Sequence, residues 1–79
     1  MTPTARHDDP RRTALRELGS RVREHRHRRG LTQETLAASL RMSVAYVSLI
    51  ERGGRNPPFT TVVALAEALG VTARELVVD

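Results

Sequence analysis

The segment of residues 31–53, LTQETLAASLRMSVAYVSLIERG, constrains the fold more than any other part of this 79-residue chain. It holds two short amphipathic stretches, each preceded by a residue that favours a helix N-cap, Thr32 for the first and Ser43 for the second. Only residues 41–43 separate the two predicted helices, and a glycine ends the second. This spacing predicts a helix-turn-helix at about residues 32–52, a motif that holds its second helix outward, where it can enter a DNA major groove.

A longer helix is predicted on the N-terminal side of this motif. Leu18 and Val22 lie on one apolar stripe of that helix, and Gly19 beside them would permit a close contact with another helix. Residues 1–9 are polar and show no periodicity, which predicts a flexible tail. Asp9 and Pro10 could be the N-cap and first residue of the helix, although the helix could instead start nearer Thr13, and the tail is placed at residues 1–10. We therefore expect the folded domain to comprise residues 11–79.

Two further helices are predicted after the motif. The fourth covers about residues 59–69 and is expected to bury Phe59 at its start. The fifth follows a capping box in which Thr72 precedes Glu75 by three residues. No stretch alternates with the period of a strand, so the fold class is all-α, a compact five-helix domain of the phage-repressor-like helix-turn-helix type.

The composition argues against several classes of protein. The chain has no cysteine, so it cannot form disulfides or thiolate metal sites. Its longest apolar run is far too short to span a membrane and its N-terminus lacks a signal peptide's apolar region, which predicts a cytoplasmic protein. His25 and His27 would point about 200° apart on a helix. Because no nucleophile–base arrangement or phosphate-binding loop is evident, we expect no metal, cofactor or small-molecule ligand, and no enzymatic activity.

The positive charge is concentrated in the first part of the chain. All 13 basic side chains are arginines. Residues 1–30 carry a net charge of +5, residues 31–55 a net charge of +1 and residues 56–79 a net charge of −2. This polarity is typical of a domain that turns one face toward a polyanion, and guanidinium groups suit phosphate. A solvated basic helix would show the same pattern, so charge alone leaves both interpretations open.

The second helix of the motif carries an apolar patch opposite its inward-facing pair, Val47 and Ile50. At 100° per residue, burial of that pair turns five side chains outward. These residues are Val44, Ala45, Ser48, Leu49 and Arg52. Together with Ser43 they offer methyl groups to thymine but few donors for other bases, so part of the sequence specificity would come from DNA shape. The alternative is that the C-terminal helix or a partner subunit covers the patch.

Further side chains around that helix are candidate contacts to DNA phosphates. Gln33 is expected at a helix N-terminus, where backbone amides and the helix dipole favour an anion. The other candidates are Tyr46, Arg55, Asn56 and, on the first helix, Arg23. Phosphate contacts fix the register of a protein on DNA without reading its sequence. For each of these residues the alternative is an ordinary solvated side chain.

Four segments of the chain resemble a known family. LTQETLA, the pattern S-x-x-Y-V-S-x-I-E-R-G, the tripeptide R-N-P and the segment ALGVTARELV are similar in sequence and spacing to XRE (Cro/cI-type) helix-turn-helix regulators. The likeness covers about residues 15–78. It implies a five-helix DNA-binding domain that binds operators as a homodimer.

The resemblance also implies roles for individual residues. It assigns to Gln33 the binding of a phosphate and the alignment of the recognition helix, which is the second helix of the motif. It also implies an ion pair between Arg26 and Glu51 that supports the recognition helix. Contact with the groove is assigned to Ser43, Val44, Ala45, Ser48 and Leu49. Contact with the DNA backbone is assigned to Tyr46, Arg55 and Asn56.

These observations support one leading hypothesis and one alternative. The leading hypothesis is a sequence-specific transcriptional regulator of the repressor or controller type, in which helix 44–52 reads a repeated operator on double-stranded DNA as a homodimer. The apolar C-terminal residues Leu76, Val77 and Val78 are the predicted dimer interface. The alternative is an antitoxin or another protein-interaction module, whose partner is a toxin or a second regulator. Association with a membrane surface is not expected, because the basic first helix has no aromatic anchors.

Overall fold

The computed structural model describes residues 9–77, and within them the chain forms five helices and no strand. The helices are α1 (Pro10–Arg28), α2 (Gln33–Leu40), α3 (Val44–Glu51), α4 (Phe59–Leu69) and α5 (Ala73–Val77). The all-α, five-helix prediction is confirmed. None of these helices is both long enough and apolar enough to cross a membrane.

The start of α1 confirms the earlier of the two predicted helix starts and moves the boundary between tail and domain to residue 9. The carboxylate of Asp9 caps α1 by accepting a hydrogen bond of 2.9 Å from the amide of Arg11, and Pro10 is the first helical residue. Both residues therefore belong to the domain, and not to the tail predicted for residues 1–10. The remainder of that tail, residues 1–8, lies outside the described residues.

The predicted N-caps of the helix-turn-helix are present. The hydroxyl of Thr32 accepts a hydrogen bond of 3.0 Å from the amide of Thr35, and the hydroxyl of Ser43 accepts one of 3.0 Å from the amide of Tyr46. Between the two helices, Arg41 takes the left-handed conformation with φ 56° and ψ 41°. This backbone geometry costs a side-chain-bearing residue about 1 kcal/mol, and it makes the sharp turn that sets α3 across α2.

The core is built from the apolar stripes of all five helices. α1 packs against α3, α4 and α5, while α2 packs against α3 and α4. The buried apolar residues are Leu18, Val22, Leu36, Ala37, Val47, Ile50, Val62, Leu65, Ala66, Leu69 and Leu76. Gly19 is buried where α1 crosses α3. The two backbones are so close there that a Cβ atom at residue 19 would overlap the carbonyl oxygens of Ile50 and Glu51. The predicted role of Gly19 in close helix contact is thus confirmed.

The prediction that Phe59 is buried is wrong, since 68% of its surface is exposed. Phe59 continues the stripe of Val62 and Leu69, but it is the first residue of α4, where no helix covers it. It lies instead at the rim of a groove between α1, α4 and the end of α5. We call this the apolar groove. Its apolar lining is Ala14, Leu18, Pro57, Phe59, Val62 and Val77, and Glu17, Arg21 and Asn56 complete its walls.

The predicted dimer interface also needs a correction. Leu76 is fully buried among α1, α4 and α5, so it belongs to the core of one chain and cannot meet a second. A five-residue helix at the end of a small domain must itself be anchored, and Leu76 is the residue that anchors it. Val77 is 51% exposed and remains available on the surface. Val78 lies outside the described residues.

Truncation of these two neighbours separates the core position from the surface one. Leu76→Ala removes a fully buried side chain, and we expect it to lower the free energy of unfolding by about 2–5 kcal/mol. Val77→Ala changes a side chain that is half exposed, and the expected loss is below about 1 kcal/mol. Urea unfolding followed by circular dichroism measures both, and similar losses for the two variants would contradict the placement of Leu76.

Candidate nucleic-acid interface

A buried ion pair joins the first and third helices. The guanidinium of Arg26 on α1 donates two hydrogen bonds to the carboxylate of Glu51 on α3, at 2.6 Å from Nε to Oε2 and at 3.0 Å from Nη2 to Oε1. The two side chains are 9% and 3% exposed. Two parallel bonds of this kind fix the relative orientation of the groups as well as their distance. The structure thus brings together the two residues that the family resemblance pairs.

The second helix is attached to the same carboxylate. Nε2 of Gln33, the first residue of α2, donates a hydrogen bond of 3.0 Å to Oε1 of Glu51. In addition, Nη1 of Arg26 donates a bond of 2.9 Å to the carbonyl oxygen of Leu31, just before α2. One buried carboxylate therefore links α1, the start of α2 and the end of α3.

The bond from Gln33 to Glu51 is not predicted by the sequence. The family resemblance assigns Gln33 to a DNA phosphate, yet its half-buried amide group donates inward. The two residues are separated by 18 positions, and no local pattern relates them. The contact of Gln33 with a phosphate remains a prediction.

The charges of this network stabilise one another. Burial by itself raises the pKa of the Glu51 carboxyl, but hydrogen bonds from Arg26 and Gln33, together with the positive charge of Arg26, bring that pKa below its ordinary value. The hydrogen bond to Glu51 likewise raises the pKa of Arg26 against the effect of burial. Nearby Arg23, exposed on α1, contributes further positive charge beside Glu51.

The N-terminal half of α3 faces outward. Val47, Ile50 and Glu51 hold the helix to the rest of the domain through its buried side. At the N-terminal end Ser43, Val44 and Ala45 are exposed, and Val44 keeps 38% of its surface in contact with solvent. Within this chain, α5 therefore does not cover the apolar patch. The exposed methyl groups stand at the N-terminal end of α3.

The C-terminal half of α3 is less accessible. Ser48 and Leu49 are only half exposed, and Leu49 lies against the backbone of Gly54 in the following loop. Tyr46 is half-buried and packs against the edge of the core. The predicted outward arc is thus open at its beginning and partly shielded toward its end.

Polar and basic groups surround this surface. Arg52 caps α3 at its C-terminus, and Arg55 and Asn56 follow in the loop before α4. All three are exposed. The helices form a compact set, and in the capped pair α2 and α3 the second helix presents its N-terminal half to solvent. This arrangement defines the helix-turn-helix class of DNA-binding domain.

Comparison with known proteins gives the same result. A family described as a helix-turn-helix domain matches residues 17–77. The HTH-type transcriptional regulator y4dJ of Sinorhizobium fredii is 47% identical over 60 residues, which are 76% of this chain and 78% of that protein. The HTH-type transcriptional regulator DdrOP3 of Deinococcus deserti is 40% identical over 60 residues, 76% of this chain and 46% of that longer protein.

A solved structure extends the likeness to three dimensions. The restriction-modification controller protein C.AhdI of Aeromonas hydrophila superimposes with a TM-score of 0.77 at 42% sequence identity, covering 81% of this chain and 97% of that one. This chain belongs to the helix-turn-helix family of transcriptional regulators, and its resemblance to the XRE (Cro/cI-type) members is confirmed.

The pKa of Glu51 makes stability dependent on acid in a defined direction. Because that pKa is lower in the folded chain than its ordinary value of 4.5, protonation favours unfolding. The contribution of the network is complete above pH 4.5 and is lost as the pH falls through the folded-state pKa. We expect Glu51→Gln to be less stable than the wild type at pH 7 and to lose less stability between pH 7 and pH 3.

Urea unfolding at a series of pH values measures this difference. Glu24→Gln is the matched control, since Glu24 makes an exposed pair with Arg28 at 2.7 Å and should leave the acid dependence close to that of the wild type. An acid dependence in Glu51→Gln equal to that of the wild type would show that Glu51 does not carry it.

Proposed function

We propose that this chain is a sequence-specific transcriptional regulator of the repressor or controller type that binds a repeated operator as a homodimer. The N-terminal half of α3 enters the major groove of double-stranded DNA. The single observation that carries the proposal is the exposure of Ser43, Val44 and Ala45 at the start of a helix whose opposite end is fixed by a buried ion pair. A recognition helix needs exposed residues that can contact DNA and fixed packing against the rest of the domain.

The chemistry of α3 suits a limited reading of bases. Val44 and Ala45 offer methyl groups for contact with the methyl group of thymine, and the hydroxyls of Ser43 and Ser48 offer single hydrogen bonds. Leu49 adds apolar contact from its half-exposed position. No bidentate donor points outward from the first turn, so base contacts alone supply modest discrimination. DNA shape and deformability then supply the rest.

Backbone contacts are assigned to the polar groups around α3. Gln33 is the first residue of α2, and Arg23 lies in the second half of α1. Arg52, Arg55 and Asn56 follow the end of α3. Contacts on both sides would hold the helix at a fixed depth in the groove. Tyr46, which packs against the core, is assigned a phosphate contact through its hydroxyl. Such a regulator acts where chromosomal DNA is found, in the cytoplasm.

The proposed dimer surface is the apolar groove, in place of the buried Leu76. Phe59 and Val77 are the most exposed large apolar side chains of the described residues, and they line one groove. Asn56, in the loop after α3, lines the groove too, so the groove lies next to the proposed DNA-binding surface. A second copy placed there by a two-fold axis would bring two α3 helices to one side. A repeated operator requires that arrangement, with half-sites about 34 Å or one helical turn apart.

Selection of binding sites from random duplexes tests the DNA-binding proposal. We expect the wild type to enrich a repeated motif. Val44→Glu should lose binding to that motif by at least about a hundredfold, because a carboxylate then faces the bases and phosphates. Its melting temperature should stay near that of the wild type, since Val44 is exposed and an acidic residue suits the first turn of a helix.

Val44→Thr is the matched control for this variant. It keeps the branched shape and one methyl group, and we expect it to retain most of the affinity. Failure of the wild type to enrich any motif would contradict the proposal and favour the protein-interaction alternative. A large loss of stability in Val44→Glu would show instead that Val44 is buried in the functional protein.

Sedimentation equilibrium tests the dimer surface. The wild type is expected to be a dimer at micromolar concentration, and Phe59→Glu a folded monomer, because a charge would then have to be buried at the interface. Val44→Glu serves as the control and should remain dimeric. A monomeric wild type at that concentration, or a dimeric Phe59→Glu, would contradict the assignment of this groove.

A further inference from the structure

Four arginines line one open cleft beside the end of the recognition helix. The cleft lies between the first two turns of α1 and the loop after α3, and it has a volume of about 550 Å³. We call it the basic cleft. It is lined by Arg12, Arg16, Arg52 and Arg55, with Leu15, Gly53, Gly54 and Asn56 completing its walls.

No carboxylate balances this cluster within residues 9–77. None of the four guanidinium groups lies within 4.0 Å of an acidic oxygen there, and no acidic residue lines the cleft. Other arginines of α1 do have such partners, for example Arg21 with Glu17 and Arg28 with Glu24. Four like charges around one cavity repel one another, so their grouping weakens the fold unless an anion enters.

The backbone holds α1 and the loop close together at this point. Gly53 has a left-handed φ of 78°, and a Cβ atom there would lie 2.8 Å from Cγ and 3.0 Å from Cα of Arg16. Only glycine therefore lets the loop approach α1 so closely. Arg16 therefore lines the same cleft as Arg52, the residue that caps α3.

We propose that the basic cleft binds backbone phosphates of duplex DNA beside the groove that α3 enters, and that Arg12 and Arg16 are DNA-contacting residues. The proposal rests on the proposed function, because α3 must lie in the groove for the cleft to meet the backbone that borders it. Arginine forks match phosphate oxygens in geometry and charge. Duplex DNA carries one charge per about 1.7 Å of its axis, enough to engage several guanidinium groups at once.

Half of the arginines of the basic cleft come from the N-terminal part of α1. The family match begins at residue 17, so Arg12 and Arg16 both lie before it. They stand on the continuous helix α1, which starts at Pro10 and is rigidly joined to α3 by the Arg26–Glu51 pair. The first two turns of α1 thus enlarge the DNA-binding surface that residues 17–77 provide.

Salt dependence of operator binding tests the proposal. The variant is Arg12→Gln/Arg16→Gln, which removes two charges and keeps most of each side-chain stem, including the Arg16 stem that lies against Gly53. The control is Arg29→Gln/Arg74→Gln, which removes the same charge from exposed positions at the C-cap of α1 and on α5. The probe is the duplex that the wild type selects. Thermal melting establishes that both variants are folded.

We expect the cleft variant to bind about 10- to 30-fold more weakly at about 0.15 M salt. The slope of log K against log salt concentration should fall by about 0.9 for each phosphate that the variant no longer neutralises, with base preference unchanged. The control should stay within about threefold of the wild type. Equal affinity and slope in the two variants would overturn the role of Arg12 and Arg16 while the proposed function stands. A wild type that selects no motif would overturn both.

Discussion

The buried carboxylate of Glu51 is the group on which the arrangement of the first three helices depends. A carboxylate taken out of water without partners is strongly destabilising, so the fold must supply donors in fixed positions. Arg26 supplies two bonds and Gln33 a third. In the described residues no buried side-chain nitrogen or oxygen lacks a hydrogen-bond partner, which shows that the network is complete. Complete networks permit few alternative packings, and this one sets α3 relative to α1 and α2.

The functional surface follows from that constraint. Once Val47, Ile50 and Glu51 face inward, the geometry of a helix turns Ala45 outward. Val44 keeps its exposure at the first position of α3. Gly53 follows the C-cap of α3 and lets α1 approach the loop. This approach brings the arginines of the basic cleft together. The exposed start of α3 and the basic cleft therefore both depend on the way in which the Glu51 network fixes α3 to α1.

Local signals in the sequence are sufficient for the helices and their caps. Thr32, Ser43 and the Thr72–Glu75 box act over three residues, and each forms the predicted hydrogen bonds. Periodicity also identifies the inward face of each helix. It does not tell which part of a face another helix covers, and for that reason the predictions for Phe59 and Leu76 are wrong.

Contacts between distant residues are beyond the reach of such signals. The bond from Gln33 to Glu51 and the approach of Arg16 to Gly53 depend on how whole helices cross, and neither has a local pattern. The Arg26–Glu51 pair is expected from the family resemblance alone, because composition and spacing do not distinguish a buried arginine from a solvated one.

The measurement that tests this account most directly is operator affinity after Glu51 and Arg26 are replaced together by apolar residues. Replacement of a buried ion pair by side chains of similar size often leaves stability unchanged or higher, so Arg26→Met/Glu51→Leu should fold. If the carboxylate is what orients α2 and α3, this variant melts near the wild type but binds the selected operator at least about tenfold more weakly, a loss of about 1.4 kcal/mol. A folded variant with unchanged operator affinity would contradict the account.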